Sequence, residues 1–349
     1  MQQQAGSVVW FISALLVLNS CTRKEESLPV IPPSAGARLQ LNGGAGGAAA
    51  INTVFLDLST AKQDSVKRTA WDLALYTGND FSVMINNTTV ALAKATTKSN
   101  LADVSAADTA GMVLALNHAA PSATEFALLD DIGGDLSKTV IGTISATESA
   151  NKVYILNRGT GGGVAARDWL KIKIIRKGNG YSIQYAKIAE ANFSTIDVVK
   201  NNSYQFNYIS FDNGPVTVEP EKENWDLQWG YAVFKTNFGG GDVPYAFSDL
   251  IAINFRAGVQ VAEILTSTTS YENFKEADLA TASFSADRWA IGSNWRATTG
   301  AAIGVKTDRF YLVKDSNGNY YKLKFISFTS QDGGTRGKPE LSFQLVKEA

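Results

Sequence analysis

The sequence predicts an all-β protein built largely from antiparallel strands, with a few short helices. Apolar and polar residues alternate with a period of two in several segments, as half-buried strands require. The clearest of these segments are 169–175, 181–185, 320–328 and 341–345. Turn-forming residues lie between them, notably Asn179-Gly180 and residues 315–318, and such residues tolerate the positive φ angles of tight hairpins.

Helical signals are few and local. Residues 270–280 begin with a serine suited to an N-cap and place Tyr271, Phe274 and Leu279 near helical spacing. Residues 101–116 carry a weaker pattern of the same kind. We therefore expect two short helical segments among many strands.

The composition supports a globular body and excludes several classes of function. Of the 349 residues, 45% are hydrophobic and 19% are charged, which is outside the range of disordered chains. A net charge of −1 supplies no positive field for phosphate backbones, so we expect no nucleic-acid partner. One Cys and one His exclude a zinc cluster, a disulfide framework and a Cys/His pair.

The N-terminus has the features of a targeting leader. Residues 8–18 form an apolar run that is too short to span a bilayer and suits a signal peptide. The run ends in Leu-Asn-Ser-Cys21, which resembles a bacterial lipobox, although residues 1–7 lack the usual Lys or Arg. We expect a signal peptide over 1–20 and a lipid anchor on Cys21. The alternative is an ordinary secreted protein with a cysteine near its cleavage site.

Residues 21–50 have the composition of a flexible tether. Pro29, Pro32 and Pro33 precede a Gly- and Ala-rich stretch over 43–50, and such sequences act as spacers. The segment Thr-Arg-Lys-Glu-Glu that ends at residue 26 is similar to the signal that sends Bacteroidetes lipoproteins to the outer face of the outer membrane. This predicts a lipid-anchored, surface-exposed protein.

The body of the chain shows two related stretches. Trp71-Asp72-Leu73 follows an extended segment, and Trp225-Asp226-Leu227 follows another at an offset of 154 residues. Later strand pairs recur at offsets of 151 and 157 residues. We therefore predict two β-rich halves, 51–200 and 201–349, related by a degenerate duplication; chance recurrence is the alternative, and separate folding of the halves stays open. Both tryptophans are expected in the core, with the aspartates accepting hydrogen bonds at strand edges.

An ordered set of motifs in the second half resembles the HmuY family. The set comprises Lys-Glu-Asn-Trp-Asp-Leu-Gln-Trp-Gly-Tyr at 222–231, the strand pair 309–328 and the closing strand 341–345. The resemblance is best over 204–347 and weaker over 52–190. The family consists of Bacteroidetes haem-binding outer-membrane lipoproteins with an all-β fold. It implies a cofactor, haem, taken up free or from a haemoprotein and delivered to a TonB-dependent receptor.

Few side chains here match the iron ligands that the resemblance implies. The family pattern uses pairs of His or Met, and a bis-His site is impossible because His118 is the only histidine. His118 with Met112 or Met84 is the only His/Met pairing once the leader is removed. No metal other than haem iron is expected.

The half that resembles the family best contains neither His nor Met. A haem site there would need Tyr231, Tyr245 or Tyr271 as the ligand; otherwise the function is not haem binding. The Gly-rich loop 237–245 is a candidate pocket rim, because glycine lets a ligand approach the backbone closely.

A non-haem surface module for glycan, peptide or an envelope protein is the alternative function. Trp289 and Trp295 lie six residues apart in a Gly/Ser/Asn-rich segment and would share one face of a strand as a ligand-facing patch. Trp169 and Trp229 are further candidate contacts. The sequence contains no nucleophile elbow, metal-ligand cluster or dinucleotide motif, so we expect no enzyme.

Overall fold

Twenty strands, all paired antiparallel, are present in the part of the chain that the structure describes, which confirms the all-β fold. The structure is a computed structural model, and it describes Met1 and residues 31–349. The predicted signal peptide, the Cys21 anchor and the surface-export segment fall outside the described residues and stay predictions. Among the described residues, no helix has the length and apolarity needed to cross a membrane.

Eighteen of the twenty strands have two to eight residues, and the other two, which form one hairpin, have 11 and 12. The strands are β1 Gly36–Gln40, β2 Asn52–Asp57, β3 Lys62–Lys67, β4 Leu73–Tyr76, β5 Val83–Ile85, β6 Leu92–Ala95, β7 Tyr154–Asn157, β8 Leu170–Arg176, β9 Gly180–Lys187, β10 Ser194–Val199, β11 Phe206–Ser210, β12 Gly214–Val216, β13 Leu227–Asn237, β14 Asp242–Ile253, β15 Gln260–Leu265, β16 Arg296–Ala297, β17 Gly304–Val305, β18 Arg309–Lys314, β19 Tyr320–Ser327 and β20 Glu340–Lys347.

All helices in the described residues are single-turn or two-turn 3₁₀ segments. They are Gly47–Ala49, Arg68–Ala70, Asn87–Thr89, Leu101–Asp103, Ala106–Thr109, Ala123–Leu128, Leu136–Lys138, Glu148–Ala150, Gly161–Gly163, Phe255–Ala257, Glu276–Thr281 and Ser330–Asp332. The predicted helix over 270–280 is therefore shorter and starts later, and the pattern over 101–116 forms two brief turns. Neither segment has the length at which an α-helix sustains itself.

Two five-stranded sheets have the same internal plan. One has the order β10-β9-β8-β7-β6 and the other the order β1-β20-β19-β18-β15. In each sheet, three strands that are consecutive along the chain form the centre. An earlier strand, β6 or β15, lies at one edge. The strand at the other edge is β10 in the first sheet and β1, from the start of the described chain, in the second.

Two four-stranded sheets combine strands from both sides of residue 200. Their orders are β14-β13-β2-β3 and β5-β4-β11-β12. The hairpin β2–β3, which is the first in its half, thus pairs with β13–β14, the second in the other half. In the same way, β11–β12 pairs with β4–β5. The two sheets correspond strand for strand, β2 with β11, β3 with β12, β4 with β13 and β5 with β14.

The Trp-Asp motifs lie where these exchanged hairpins meet. Trp71 and Trp225 are buried. Asp72 accepts a hydrogen bond from the Phe211 backbone N–H at 2.9 Å, and Asp226 accepts one from the Leu58 N–H at 2.8 Å. The expected core tryptophans and strand-edge aspartates are therefore confirmed.

The tether is shorter than the composition predicts. Residues Gly36–Gln40 form β1, which pairs along its whole length with β20. Leu41 and Ala50 are fully buried in the core. Residues 36–50 therefore belong to the fold. The edge of β20 would otherwise be unpaired, and it is covered by β1, which lies about 300 residues earlier in the sequence.

One of the two predicted hairpin turns is confirmed, and the other is displaced along the chain. At 315–318, Gly318 takes a φ of 95° and the Asp315 carboxylate accepts hydrogen bonds from the Asn317 and Asn319 N–H groups, as expected. In the other turn, the positive φ is at Gly178, at 55°, while Gly180 is the first residue of β9. The turn is thus displaced toward the preceding glycine.

Candidate functional site

The long hairpin β13–β14 carries a continuous strip of aromatic side chains near its tip. We define the aromatic strip as Phe234, Phe238, Tyr245 and Phe247 of the hairpin together with Trp289, which packs on Phe234 from the chain segment after β15. Phe234 and Tyr245 are directly opposite each other across the two strands. Tyr245 contacts Phe247 and Phe238 with ring centroids 5.0 and 5.2 Å apart, and Phe234 contacts Phe247 and Trp289 at 6.2 and 5.3 Å.

Strand alternation explains why these rings share one face. Tyr245 and Phe247 are two residues apart, so they point to the same side, while Ala246 between them packs into the core with Val233. Phe238 begins the turn and is 63% exposed. The turn closes through glycines with positive φ at Gly239 and Gly241, which leaves an accessible aromatic surface at the tip.

The single histidine lies at one end of this strip. The His118 ring packs edge-on against Tyr245 with centroids 4.9 Å apart. A turn holds it there, because the Asn117 side-chain oxygen accepts hydrogen bonds from the Ala119 and Ala120 N–H groups, each at 3.1 Å. The His118 side chain is exposed and makes no hydrogen bond with the described residues, so its ring nitrogens are free for a ligand.

The two methionines lie in different environments from His118. Met84 is half-buried and packs with the cluster that contains Trp71 and Trp225. Met112 is half-buried against a separate cluster around Leu114. Packing therefore joins His118 to Tyr245 and joins neither methionine to the aromatic strip.

The other tyrosines named from the sequence have structural contacts. Tyr231 packs over the Arg68 guanidinium, 4.8 Å from the ring centroid, and burial raises its pKa. The Tyr271 hydroxyl donates to the Lys322 carbonyl at 3.2 Å, and burial raises its pKa to about 12. Neither is in contact with His118.

The expected patch of Trp289 and Trp295 is wrong. Trp295 is fully buried, stacks on Phe325 with centroids 4.2 Å apart and donates its indole N–H to the Asp249 carbonyl at 3.1 Å. Trp289 is half-buried and donates to the Ile132 carbonyl at 2.7 Å. The intervening residues form turns rather than a strand, so a six-residue spacing does not place both rings on one face. Trp229 is also buried.

Sequence reasoning misses three members of the aromatic strip. Phe234, Phe238 and Phe247 do not stand out in the sequence, although alternation over 243–247 and the cross-strand pairing of the hairpin carry the signal. The Gly-rich loop 237–245 is a predicted rim, and its last residue, Tyr245, is the contact of His118. Within the described residues, no group of three or more His, Cys, Asp or Glu is arranged to hold a metal ion.

A second candidate site is a cavity of about 80 Å³ between the two four-stranded sheets. Its walls include Met84 and the rings of Phe55, Trp71 and Trp225. A cavity of about 150 Å³ binds a single benzene, so this smaller space does not admit a porphyrin. Met84 therefore faces a space too small for haem.

Comparison with known proteins identifies the family. The model of a protein family described as HmuY protein matches residues 49–343, which includes both the half with the clearer motifs and the half with the weaker ones. A search of curated proteins gave no significant match, and neither did a search of solved structures. The match spans most of the chain and agrees with the all-β fold, so the chain belongs to the HmuY family.

Proposed function

We propose that this protein is a haem-binding surface lipoprotein and that its haem site is the aromatic strip with His118. The observation that carries the proposal is the contact of the one histidine with Tyr245, 4.9 Å between centroids, at the end of an accessible aromatic surface. The HmuY family is a family of haem-binding proteins, and membership in it supports haem as the ligand of this protein.

The available side chains fit this group. Haem supplies an iron that accepts imidazole as an axial ligand, and His118 is the only imidazole in the chain. The rings of Phe238 and Tyr245 offer apolar faces that would exclude water from a planar macrocycle.

We further propose that Cys21 carries the lipid anchor, that the protein is displayed on the outer membrane, and that haem passes from it to a TonB-dependent receptor. The lipobox-like sequence and the family support this assignment. An exposed site at the tip of a long hairpin suits transfer, because a receptor can approach it without unfolding of the core.

A titration of the purified protein with ferric haem tests the site. We expect a saturable Soret change near one haem per chain, which should be lost in His118→Ala. Haem affinity should fall at least tenfold in Phe238→Ser, because burying a phenylalanine side chain against the ligand is worth about 1.5–3 kcal/mol. The controls are Phe193→Ser, which removes another exposed phenylalanine, and Met84→Leu, which alters the internal cavity. Both should bind haem as the unmodified protein does.

The opposite pattern would redirect the proposal. Loss of binding in Met84→Leu with retention in His118→Ala would exclude His118 as the ligand. A featureless, non-saturating response of the unmodified protein would reject haem. The aromatic strip would then be tested for glycan and peptide binding, the alternative function, through the same Phe238→Ser and Phe193→Ser pair.

A further inference from the structure

The cavity between the two four-stranded sheets contains charged groups as well as aromatic walls. Arg256 and Arg288 both line it, together with Glu219 and the indole of Trp225. Arg256 follows β14 in the 3₁₀ turn Phe255–Ala257, and Arg288 lies in the loop after residue 285. Two arginine side chains therefore line one small space inside the fold.

Neither arginine has a carboxylate partner within the described part of the chain. No Asp or Glu oxygen there lies within 4.0 Å of the Arg256 or Arg288 guanidinium, whereas Arg158 and Arg309 each form ion pairs. Arg256 donates to the Gly134 carbonyl. The Arg288 guanidinium makes no hydrogen bond to any described residue. A guanidinium has five donors, and no Arg256 or Arg288 nitrogen is among the fully buried unpaired atoms of the described residues, so these donors are accessible to water or to a ligand.

A third donor in the same wall is also unpaired. The Trp225 indole Nε1 is buried and has no hydrogen-bond partner among residues 31–349, although buried indole N–H groups usually find one. This N–H is buried behind the cavity surface, and the cavity itself presents positive charge beside apolar rings. An anion with a small apolar body satisfies both features of the cavity.

The acidic groups near the cavity do not cancel this charge. Glu219 accepts hydrogen bonds from the Phe206 N–H at 2.8 Å and the Tyr208 hydroxyl at 3.2 Å, and burial raises its pKa to about 7. Burial likewise raises the pKa of Asp130 to about 7, and its oxygens accept from the Ile85 and Val140 N–H groups. Asp131 attracts Arg288 electrostatically, and Asp135 attracts Arg256, in both cases from beyond ion-pair distance.

We propose that this cavity is a binding site for a small monocarboxylate, held by Arg288 and Arg256 with its apolar end against Phe55 and Trp225. The volume of about 80 Å³ limits the ligand to a few heavy atoms, since a cavity of about 150 Å³ holds one benzene, with its six heavy atoms. The Arg288 guanidinium also packs over the ring of Trp289, 5.1 Å from its centroid, so the site borders the aromatic strip, but binding of its proposed ligand does not depend on haem.

Titration of the haem-free protein with propionate tests the site, with propionamide as the neutral isostere. Small ligands have modest affinity, so the titration extends to tens of millimolar at constant ionic strength, followed by saturation-transfer NMR and by calorimetry. We expect saturable binding of propionate and at least tenfold weaker binding of propionamide. Binding should tighten as the pH falls from about 8 to about 6, because Glu219 and Asp130 lose negative charge.

Matched variants locate the site. Arg288→Gln should weaken propionate binding at least tenfold, because a hydrogen bond to a charged group is lost. Arg309→Gln is the control, since that side chain is 14% exposed and paired with Glu263 outside the cavity, and it should leave binding unchanged. Arg288→Lys keeps the charge and should retain most binding if Arg288→Gln does not fold.

Three results would overturn the proposal. These are no saturable response to propionate, equal binding of propionamide, and unchanged binding by folded Arg288→Gln. Because no haem is present in this experiment, its failure leaves the proposed haem site untouched, and failure of the haem titration leaves this site untouched.

Discussion

Equivalent aspartates in the two halves have different electrostatic environments. The Asp72 carboxylate forms a two-point ion pair with Arg158, with both N–O distances at 2.7 Å, and Arg158 also reaches Asp212. Asp226 forms no ion pair with any described residue, and burial raises its pKa well above the ordinary value. An offset of 157 residues aligns Arg158 with Asp315, so the second half has an acidic residue at the position that corresponds to the buried cation.

Replacing Arg158 by Met should destabilise the protein by about 3 kcal/mol, the low end for breaking a buried ion pair, because Asp72 would lose its two-point pair and keep only the 3.3 Å contact with Arg167. Urea denaturation measures the change through the midpoint. Arg38→Met is the control, since the Arg38–Glu340 pair lies at the surface and such pairs contribute little. Equal effects of the two substitutions would contradict the assigned role of the buried pair.

Glu219 should make stability depend on pH. Its folded pKa of about 7 lies above the value of about 4.3 in an unfolded chain, so the folded state keeps a proton that the unfolded chain releases. The contribution of Glu219 to stability is then complete below about pH 4 and is lost as the pH rises to about 7. The free energy of unfolding of Glu219→Gln, measured relative to that of the unmodified protein, should rise by on the order of a few kcal/mol between about pH 4.5 and about pH 7.5.

The measurement for Glu219 is urea denaturation of both proteins at the two pH values. Glutamine keeps an oxygen that can accept from the Phe206 N–H, so a purely structural loss would appear equally at both. A difference in unfolding free energy that does not change with pH would therefore refute the assignment.

At the level of elements, the segment after β1 is held by close packing against β13. Gly43 lies so near the Trp229 ring that a Cβ atom there would be 2.3 Å from it and 2.1 Å from the Gly337 carbonyl oxygen. The close approach of this segment to Trp229 therefore requires a residue without a side chain. In composition, the same residue belongs to a Gly-rich linker.

Gly43→Ala should destabilise the protein by about 1–3 kcal/mol, because ring and backbone must shift to admit the methyl group. Gly240→Ala at the hairpin tip is the matched control, since a Cβ atom there would have no described atom within 4 Å beyond its chain neighbours, and it should change stability by less than about 0.5 kcal/mol. Thermal unfolding of both variants decides the question. Equal stability of the two would show that residues 36–50 pack loosely.

At the scale of the whole molecule, the hairpin exchange links the two sides of the chain. The four-stranded sheets take two strands from before residue 200 and two from after it. Neither half contains a complete version of these sheets. We therefore expect the related halves to fold together, with the 51–200 and 201–349 division describing sequence relationship rather than independent domains.

Fragments 31–200 and 201–349 test this expectation. Each alone should lack a cooperative thermal transition, because β4–β5 and β13–β14 would lose their partner hairpins and expose sheet edges. An equimolar mixture should recover the circular dichroism and the transition of the intact protein. Cooperative unfolding of either fragment alone would establish independent domains instead.

The sequence by itself determined the features that depend on local pattern. Period-two alternation predicted the strands at 169–175, 320–328 and 341–345, because the two faces of a strand are set by adjacent residues. The ordered motifs around Trp225 and in 309–328 were enough to identify the family. The Trp-Asp repeats also predicted which residues anchor the core.

Only the tertiary structure decided which strands pair and which side chains meet. No local pattern shows that β1 completes a sheet with β20, that hairpins are exchanged between the halves, or that Trp295 is buried while Phe238 is exposed. His118 comes next to Tyr245 across 127 residues of sequence. These outcomes depend on contacts between distant segments, and burial is a property of the assembled sheets rather than of the residues alone.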